Sequence, residues 1–346
     1  MLLSEFDYLL PEELIAQTPA SKRTYSKMMM LDKSLKNIKH KRFFDIVDCL
    51  GENDVLVLND TKVFPARLFG EKTTGANVEV FLLKEQENKQ WEALLKPSKR
   101  INEGNIIKIS DKLHIKTLQH LDSGKWLVEM IYEGDIYPLL QKVGNVPLPP
   151  YIERKMSSAQ LQKMDYKRYQ TVFAKHSGSV AAPTAGLHFT KAILTKLRAK
   201  GVKICYVTLN VGLGTFKPVK CENITDHKMD TENFEISKKT AKIINEAKKE
   251  GKKIVAVGTT SVRTLETAFE KFGEIKACKD SSQMFIYPPY EFKVVDKLIT
   301  NFHLPKSTLL MLVSAMAGKD FIFEAYKQAI ENKYRFYSYG DCMFIS

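Results

Sequence analysis

The residues with the most chemistry to offer lie at 177–190, SGSVAAPTAGLHFT, fourteen positions without one Asp, Glu, Lys or Arg in a chain that is 27% charged. Gly178, Pro183 and Gly186 break any helical or strand period, while Ser177, Ser179, Thr184, His188 and Thr190 supply hydrogen-bonding groups. Ala181, Ala182, Ala185 and the glycines leave room for a ligand against main-chain amides. Two readings fit these residue types: a pocket wall, or a tight structural loop beneath a helix. A second candidate is Gly258-Thr259-Thr260-Ser261, set between the apolar run KIVAV (Lys253–Val257) and a helical pattern over 262–272. The free N–H groups of a helix start attract anions, and Thr and Ser side chains cap them. Arg263 opposes the dipole there and calls for a carboxylate or phosphate partner; capping without a ligand is the alternative. Asn59 and Asp60 directly follow the apolar run DVLVL, a place for ligand contacts in α/β folds and equally for an Asx-turn. Tyr334, Arg335, Tyr337 and Tyr339 suit a nucleoside as an aromatic–basic face, or a closing strand with its rings in the core. The glycines of NVGLGT (210–215) permit close backbone approach but do not make a dinucleotide fingerprint.

These groups need elements to hold them. Residues 54–58 read as a buried strand, preceded by a helix over 40–50 (HKRFFDIVDCL) closed by Gly51. From Leu68 to Pro147 the texture is β: strand-like runs at 78–83, 91–95, 106–109, 115–118 and 126–131, with Gly75, Gly104, Gly124 and Gly134 between them. Its basic loop KPSKR (96–100) reads as a phosphate contact or a solvated turn. Residues 152–168 are charged, carry Ser157 and Ser158, and read as a mobile linker or lid. Beyond them two α/β units follow, with Thr190 capping a helix, strands at 202–209 and 253–257, an amphipathic helix from Ser237 closed by Gly251, a strand at 294–300, and Ser307 capping a helix over 308–317. The expected architecture is an α/β domain, a mixed sheet or barrel with flanking helices, formed by residues 1–67 and 148–346. An inserted small all-β barrel domain occupies 68–147.

Composition narrows the partners. The chain has 346 residues, and 53 Lys+Arg against 40 Asp+Glu give +13 with a pI near 9.3, which favours a polyanion such as nucleic acid, with a merely lysine-rich surface as the alternative. Five scattered cysteines without a C-x-x-C pair argue against disulfides and zinc and for a reduced, cytoplasmic setting. Glu5, Asp7, Glu12 and Glu13 exclude a signal peptide, and the longest apolar run, 309–317, is too short for a bilayer.

Six segments then coincide in order: NDTKVFPARL (59–68), PLPPYIER (147–154), YQTVFA with GSVAAPTAGLHFT (169–190), VGTTSVRTLE (257–266), NFHLPKSTLLMLVSA (301–315) and YRFYSYGD (334–341). Together they resemble the S-adenosylmethionine:tRNA ribosyltransferase-isomerases of queuosine biosynthesis (the QueA family), over essentially the whole chain. The resemblance implies an α/β domain interrupted by a small β-barrel. It also implies transfer of the ribosyl unit of S-adenosylmethionine to the 7-aminomethyl group of a 7-deazaguanine at the tRNA wobble position, giving epoxyqueuosine and releasing adenine and methionine. S-adenosylmethionine is then a co-substrate, with no permanently bound cofactor and no metal; tRNA is the partner, no membrane is involved, and the state is a monomer.

Such chemistry needs a base beside the sulfonium-acidified ribose carbon and an acid for the departing adenine. His188 and His303, the histidines inside the matching motifs, are the acid/base candidates, with Asp60 or Asp341 holding the amine or the methionine ammonium. Arg263 and the 258–261 amides would take the methionine carboxylate. Further substrate contacts implied by the motifs are Asn59, Thr61 and Arg67; Thr184, Gly186, Leu187 and Phe189; Gly258, Thr259 and Thr260; Asn301; and Arg335, Tyr337, Tyr339 and Asp341. His227–Glu232 (HKMDTE) also matches, as substrate contact or structure. The chain departs from the pattern at Asn210, where a histidine is expected, at Tyr287-Pro288-Pro289-Tyr290, and mildly at Lys62 and Phe64. A methyltransferase reading lacks the glycine-rich loop and acidic strand end it requires near the N-terminus. A non-catalytic tRNA binder rests on basic charge and the barrel alone.

Overall fold

In the computed structural model, which describes residues 1–154, 159–212, 214 and 219–346, the apolar runs form a nine-stranded mixed sheet and a closed six-stranded barrel. The N-terminal part gives β1 (Lys27–Asp32), β2 (Asn37–Arg42), α1 (Ile46–Cys49), β3 (Asp54–Asn59) and β4 (Thr61–Val63). The barrel comprises β5 (Arg67–Lys72), β6 (Asn77–Glu85), β7 (Gln90–Lys96), β8 (Ile106–Ser110), β9 (Leu113–His120) and β10 (Trp126–Ile131), followed by α2 (Ile136–Val143). The remainder supplies α3 (Ala159–Arg168), β11 (His176–Ser179), α4 (Lys191–Ala199), β12 (Lys203–Leu209), β13 (Glu232–Ile236), α5 (Lys238–Lys249) and β14 (Lys253–Val257). Then come α6 (Thr259–Phe272), β15 (Cys278–Ser282), β16 (Lys297–Asn301), α7 (Thr308–Ala317), α8 (Lys319–Glu331) and β17 (Cys342–Ile345).

The large sheet runs β15-β13-β12-β3-β14-β16-β17-β1-β2, and β12, β3, β14 and β16 are parallel. Every residue of β3 is buried because both faces are covered, which is why the run carries no polar alternation. Period two sorts its side chains: Val55 and Val57 join Ile254, Ala256 and the apolar faces of α5 to α8, while Leu56 and Leu58 join Val255, Val257, α1 and α4. The inward residues of the barrel, among them Leu68, Val80, Trp91, Ile115 and Trp126, form a second core that α2 closes with Ile136 and Leu140.

An α/β domain interrupted by a closed all-β barrel is the fold class the sequence led to. Local details differ. The helix expected over 40–50 starts late, because His40–Arg42 pair with β1 as strand; helical turns begin at Phe43, and Gly51 does not take the left-handed conformation of a helix stop. Strand β5 alternates in burial but not in residue type, since Phe69 falls on its exposed side and Gly70 sits where an added Cβ would lie 2.6 Å from the Lys108 carbonyl. The stretch read as a linker contains α3, pinned by the ion pair of Arg154 with the buried Asp165 (2.8 Å); Ser157 and Ser158 lie outside the described residues. So do Leu213 and Thr215 of the NVGLGT segment. No helix among the described residues is long and apolar enough to cross a membrane, and all five cysteines are free.

Candidate active site

Parallel strands deliver their C-terminal ends to one edge of a sheet, the usual place for ligands in α/β folds. Here β3 ends at Asn59, β12 at Leu209, β14 at Val257 and β16 at Asn301. Gly258, with φ 83°, turns the chain from β14 into α6, and no side chain caps that helix. The amides of Thr259 and Thr260 have no hydrogen-bond partner among the described residues, so they face the edge as open donors. Strand β11 pairs with β4 and brings the uncharged stretch over the same edge.

Between these segments lies a cleft with about 710 Å3 of empty space, open mouth included. Its walls are residues 181–185, residues 258–260, residues 300–304, Tyr337 and Ser338, closed by Tyr151 and Val211. Of the residues singled out in the sequence it unites Thr184, Gly258, Thr259, Thr260, Asn301, His303 and Tyr337. No Asp, Glu, Lys or Arg is among its lining residues.

His303 has its main chain clamped: its amide donates to the Tyr326 hydroxyl (2.9 Å), and its carbonyl accepts from the Tyr8 hydroxyl. Its Nε2 lies 3.1 Å from Thr300 Oγ1. Burial pulls its pKa down to about 3, so the ring is neutral at pH 7. His188 sits behind the cleft wall. Asn301 Nδ2 donates to the Tyr337 carbonyl (2.8 Å), which aims its Oδ1 at His188 Nε2 (3.2 Å); Nε2 therefore carries the proton, and Ser26 donates to Nδ1 (2.7 Å). Burial lowers this pKa to about 4, opposed by the Asn301 hydrogen bond and helped by the Arg23 charge. Both ring nitrogens are engaged within the protein, so His188 fixes Asn301 and offers no free nitrogen to a substrate.

Several other singled-out residues serve packing. Gly186 is required because a Cβ would lie 2.9 Å from both Phe173 and Thr171. Phe189 is fully buried against Phe43, and the Leu187 carbonyl accepts from Arg23 (2.9 Å). Asn59 is saturated: Oδ1 accepts from the Thr61 and Leu209 amides, and Nδ2 donates to the Leu209 carbonyl and to Thr260 Oγ1 (3.2 Å). It is the Asx-turn reading, extended into a strut that holds Thr260. Asp60 points to the opposite face of the chain, accepting from Thr208 (2.6 Å) with His176 at 3.8 Å; burial raises its pKa. Thr61 donates to Asn210 Oδ1 (2.8 Å). Arg67 belongs to the barrel, paired with Glu79 at 2.5 Å. Asp341 accepts from the Lys27 amide (2.7 Å) and the Arg335 amide (2.8 Å), closing the turn ahead of β17. The Arg335 side chain reaches the Thr18 carbonyl, and Tyr339 donates to Asp165 (2.9 Å). Tyr334 and Phe336 are core residues, so the rings are buried as the closing-strand reading expected, but the segment is loop and turn and the strand begins only at Cys342.

Arg263 does have the carboxylate its position called for, but the protein supplies it. Its Nη1 donates to Glu232 (2.7 Å), both side chains are buried, and Glu232 also accepts from the Gly212 amide (3.2 Å). The HKMDTE segment thus ties the loop after β12 to α6. Tyr151 and Ser338 were not singled out from the sequence beyond the motifs that contain them, yet their hydroxyls meet at 2.7 Å beside the Tyr337 ring. Among the described residues no group of three or more His, Cys, Asp or Glu is placed to hold a metal ion.

Comparison with known proteins gives consistent matches. A family model described as "Queuosine biosynthesis protein" matches residues 3–345. An S-adenosylmethionine:tRNA ribosyltransferase-isomerase of Sulfurihydrogenibium sp. (strain YO3AOP1) is 55% identical over 346 residues, spanning all of both chains. One of Staphylococcus haemolyticus (strain JCSC1435) is 50% identical over 347 residues, again spanning both. The crystal structure of an S-adenosylmethionine tRNA ribosyltransferase from Thermotoga maritima is similar with a TM-score of 0.56 at 36% identity, covering 99% of this chain and 100% of that one.

Proposed function

The chain belongs to the queuosine biosynthesis protein family, and from that premise we propose that it transfers and isomerises the ribosyl unit of S-adenosylmethionine onto tRNA. The acceptor is the 7-aminomethyl group of 7-aminomethyl-7-deazaguanine at the wobble position; the products are epoxyqueuosine in tRNA, adenine and methionine. S-adenosylmethionine is consumed as co-substrate.

One observation carries this reading: three separate motif segments, 181–185, 258–260 and 300–304, wall a single cleft that has no formal charge in its lining. A sulfonium bound there meets no counter-ion, so its pull on the ribose C–H bonds stays undiminished. The open amides of Thr259 and Thr260 at the start of a fourteen-residue helix suit the methionine carboxylate, the part the sequence had given to Arg263. His303 is the imidazole at the cleft wall. Burial makes it a weak base and its imidazolium a strong acid, so a proton taken from the sulfonium-acidified ribose carbon is readily passed on towards the purine. His188 and Asn301 act through position, holding the 300–304 segment against the Tyr337 carbonyl.

The test is product analysis with S-adenosylmethionine and tRNA bearing the aminomethyl base. Free adenine and methionine in equal amounts are expected, whereas S-adenosylhomocysteine would assign the chain to methyl transfer. In single turnover, His303→Ala is expected to slow adenine release at least about a hundredfold, the ordinary worth of a general acid or base. Near-normal release would remove His303 from proton transfer.

A further inference from the structure

Next to the cleft, sharing Ser338 with it, is a smaller crevice lined by Arg23, Ser26, Arg168, His188, Tyr339 and Gly340 among others. Among the described residues its two arginines have no carboxylate partner. Arg23 donates to the carbonyls of Leu187 (2.9 Å), Gln170 (2.8 Å) and Lys167 (3.2 Å). Arg168 donates to the carbonyls of Ala20 (2.7 Å) and Ser21 (3.4 Å), and its buried Nε has no partner among the described residues. The carboxylate one turn back on α3, Asp165, is already taken by Arg154 (2.8 and 3.1 Å) and by the Tyr339 hydroxyl (2.9 Å). Burial lowers the pKa of both guanidinium groups, and Arg168 lowers that of Arg23 further through repulsion.

Two half-buried like charges with only carbonyl dipoles for company cost electrostatic energy that an arriving anion would recover. Carbonyl tethers also preorganise both forks, since neither side chain must be ordered when a ligand arrives. In the same turn as Arg23, Tyr25 stands 47% exposed, edge-on to the exposed Phe44 (6.2 Å) and with Lys22 Nζ 4.8 Å over its ring. Exposed rings beside cations are the pattern on which nucleic-acid bases stack.

We propose that the Arg23–Arg168 crevice is a seat for a backbone phosphate of the RNA substrate, with Tyr25 and Phe44 as an adjoining base platform, so that the RNA reaches the cleft across the 18–26 segment and Ser338. This rests on the functional reading above, because it takes the acceptor to be an RNA. It also assigns the contact to the α/β domain, away from the basic KPSKR loop of the barrel.

The experiment measures tRNA affinity against salt for the full chain and for Arg168→Gln and Arg168→Lys, with thermal melting of each. One phosphate contact contributes a slope of about 0.7 to 0.9 in log Kd against log salt. Arg168→Gln is expected to lower the slope by about that amount and weaken binding severalfold to tenfold at about 0.1 M salt, whereas Arg168→Lys keeps the slope. A slope unchanged in Arg168→Gln overturns the proposal. So does an equal loss in both variants, which would follow the carbonyl tethers and not the charge. Wild-type chain that binds tRNA yet releases no adenine would defeat the functional reading while leaving the seat standing. Wild-type turnover with an unaltered Arg168→Gln slope would defeat the seat alone.

Discussion

Replacing His188 with Gln should flatten the acid side of the stability curve. The folded pKa, about 4, lies below the unfolded value of about 6.5, so between those limits the unfolded chain binds the extra proton. Stability therefore falls as pH drops from about 6.5 towards about 4, and levels off below. Integrating the linkage relation from pH 7 to pH 5 gives a loss of about 2 kcal/mol for this ring. His303 adds a similar amount with its folded pKa of about 3. Asp60 and Asp341 act in the opposite sense: burial raises both, so their contribution is present at low pH and lost as pH rises through the folded value. The comparison that isolates His188 is thus wild type against His188→Gln, in which the aspartate background cancels. Urea unfolding at pH 7 and pH 5 should show the wild-type advantage shrinking by about 2 kcal/mol. A gap that stays constant, or a His188 ring resonance that titrates between pH 6 and 7, would refute the picture of a buried, doubly bonded neutral ring.

Two further substitutions probe the frame of the site. Gly186→Ala should destabilise by about 1–3 kcal/mol, since its Cβ would press on Phe173 and Thr171 at 2.9 Å, and the melting temperature reads this directly. Glu232→Leu should cost about 3–5 kcal/mol by leaving Arg263 buried without its anion, and adding Arg263→Met should restore part of the loss; a double variant no better than the single would show that the pair contributes little electrostatically.

Much of the fold was legible because periodicity reports burial. The short strand-like runs of β6, β7, β9 and β10, with glycines between them, announced the barrel, and DVLVL announced a buried strand. What periodicity missed was set by partners distant in sequence. Strand β5 shows Phe69 to solvent and spends Gly70 on a close approach to β8, so its own residues carry no strand signature. The segment 152–168 looked mobile because its charges were read as solvated. One of them, Asp165, is instead buried and takes up both Arg154, 11 residues away, and Tyr339, 174 residues away.

The site shows the same division more sharply. Residue types pointed to two of the three segments that share the cleft, 177–190 and 258–261, each with a structural reading left open beside it, while 301–304 entered only through the family resemblance. They could not say which polar group remains free for a ligand, since that depends on what the protein itself consumes. Asn59, Arg263, Asp341 and His188 all carry chemistry on paper, yet each is engaged by Thr260, Glu232, the Lys27 amide or Ser26 and Asn301. The groups left over are main-chain amides at α6 and the ring of His303, which a residue-by-residue reading weighs too lightly. In the proposed reaction a sulfonium substrate brings its own charge, and a cleft whose charged neighbours have been neutralised by one another would leave that charge to act on the ribose. Ion pairs such as Arg263–Glu232 thus serve the cleft from outside it, fixing the loop at Gly212 while keeping their own fields closed.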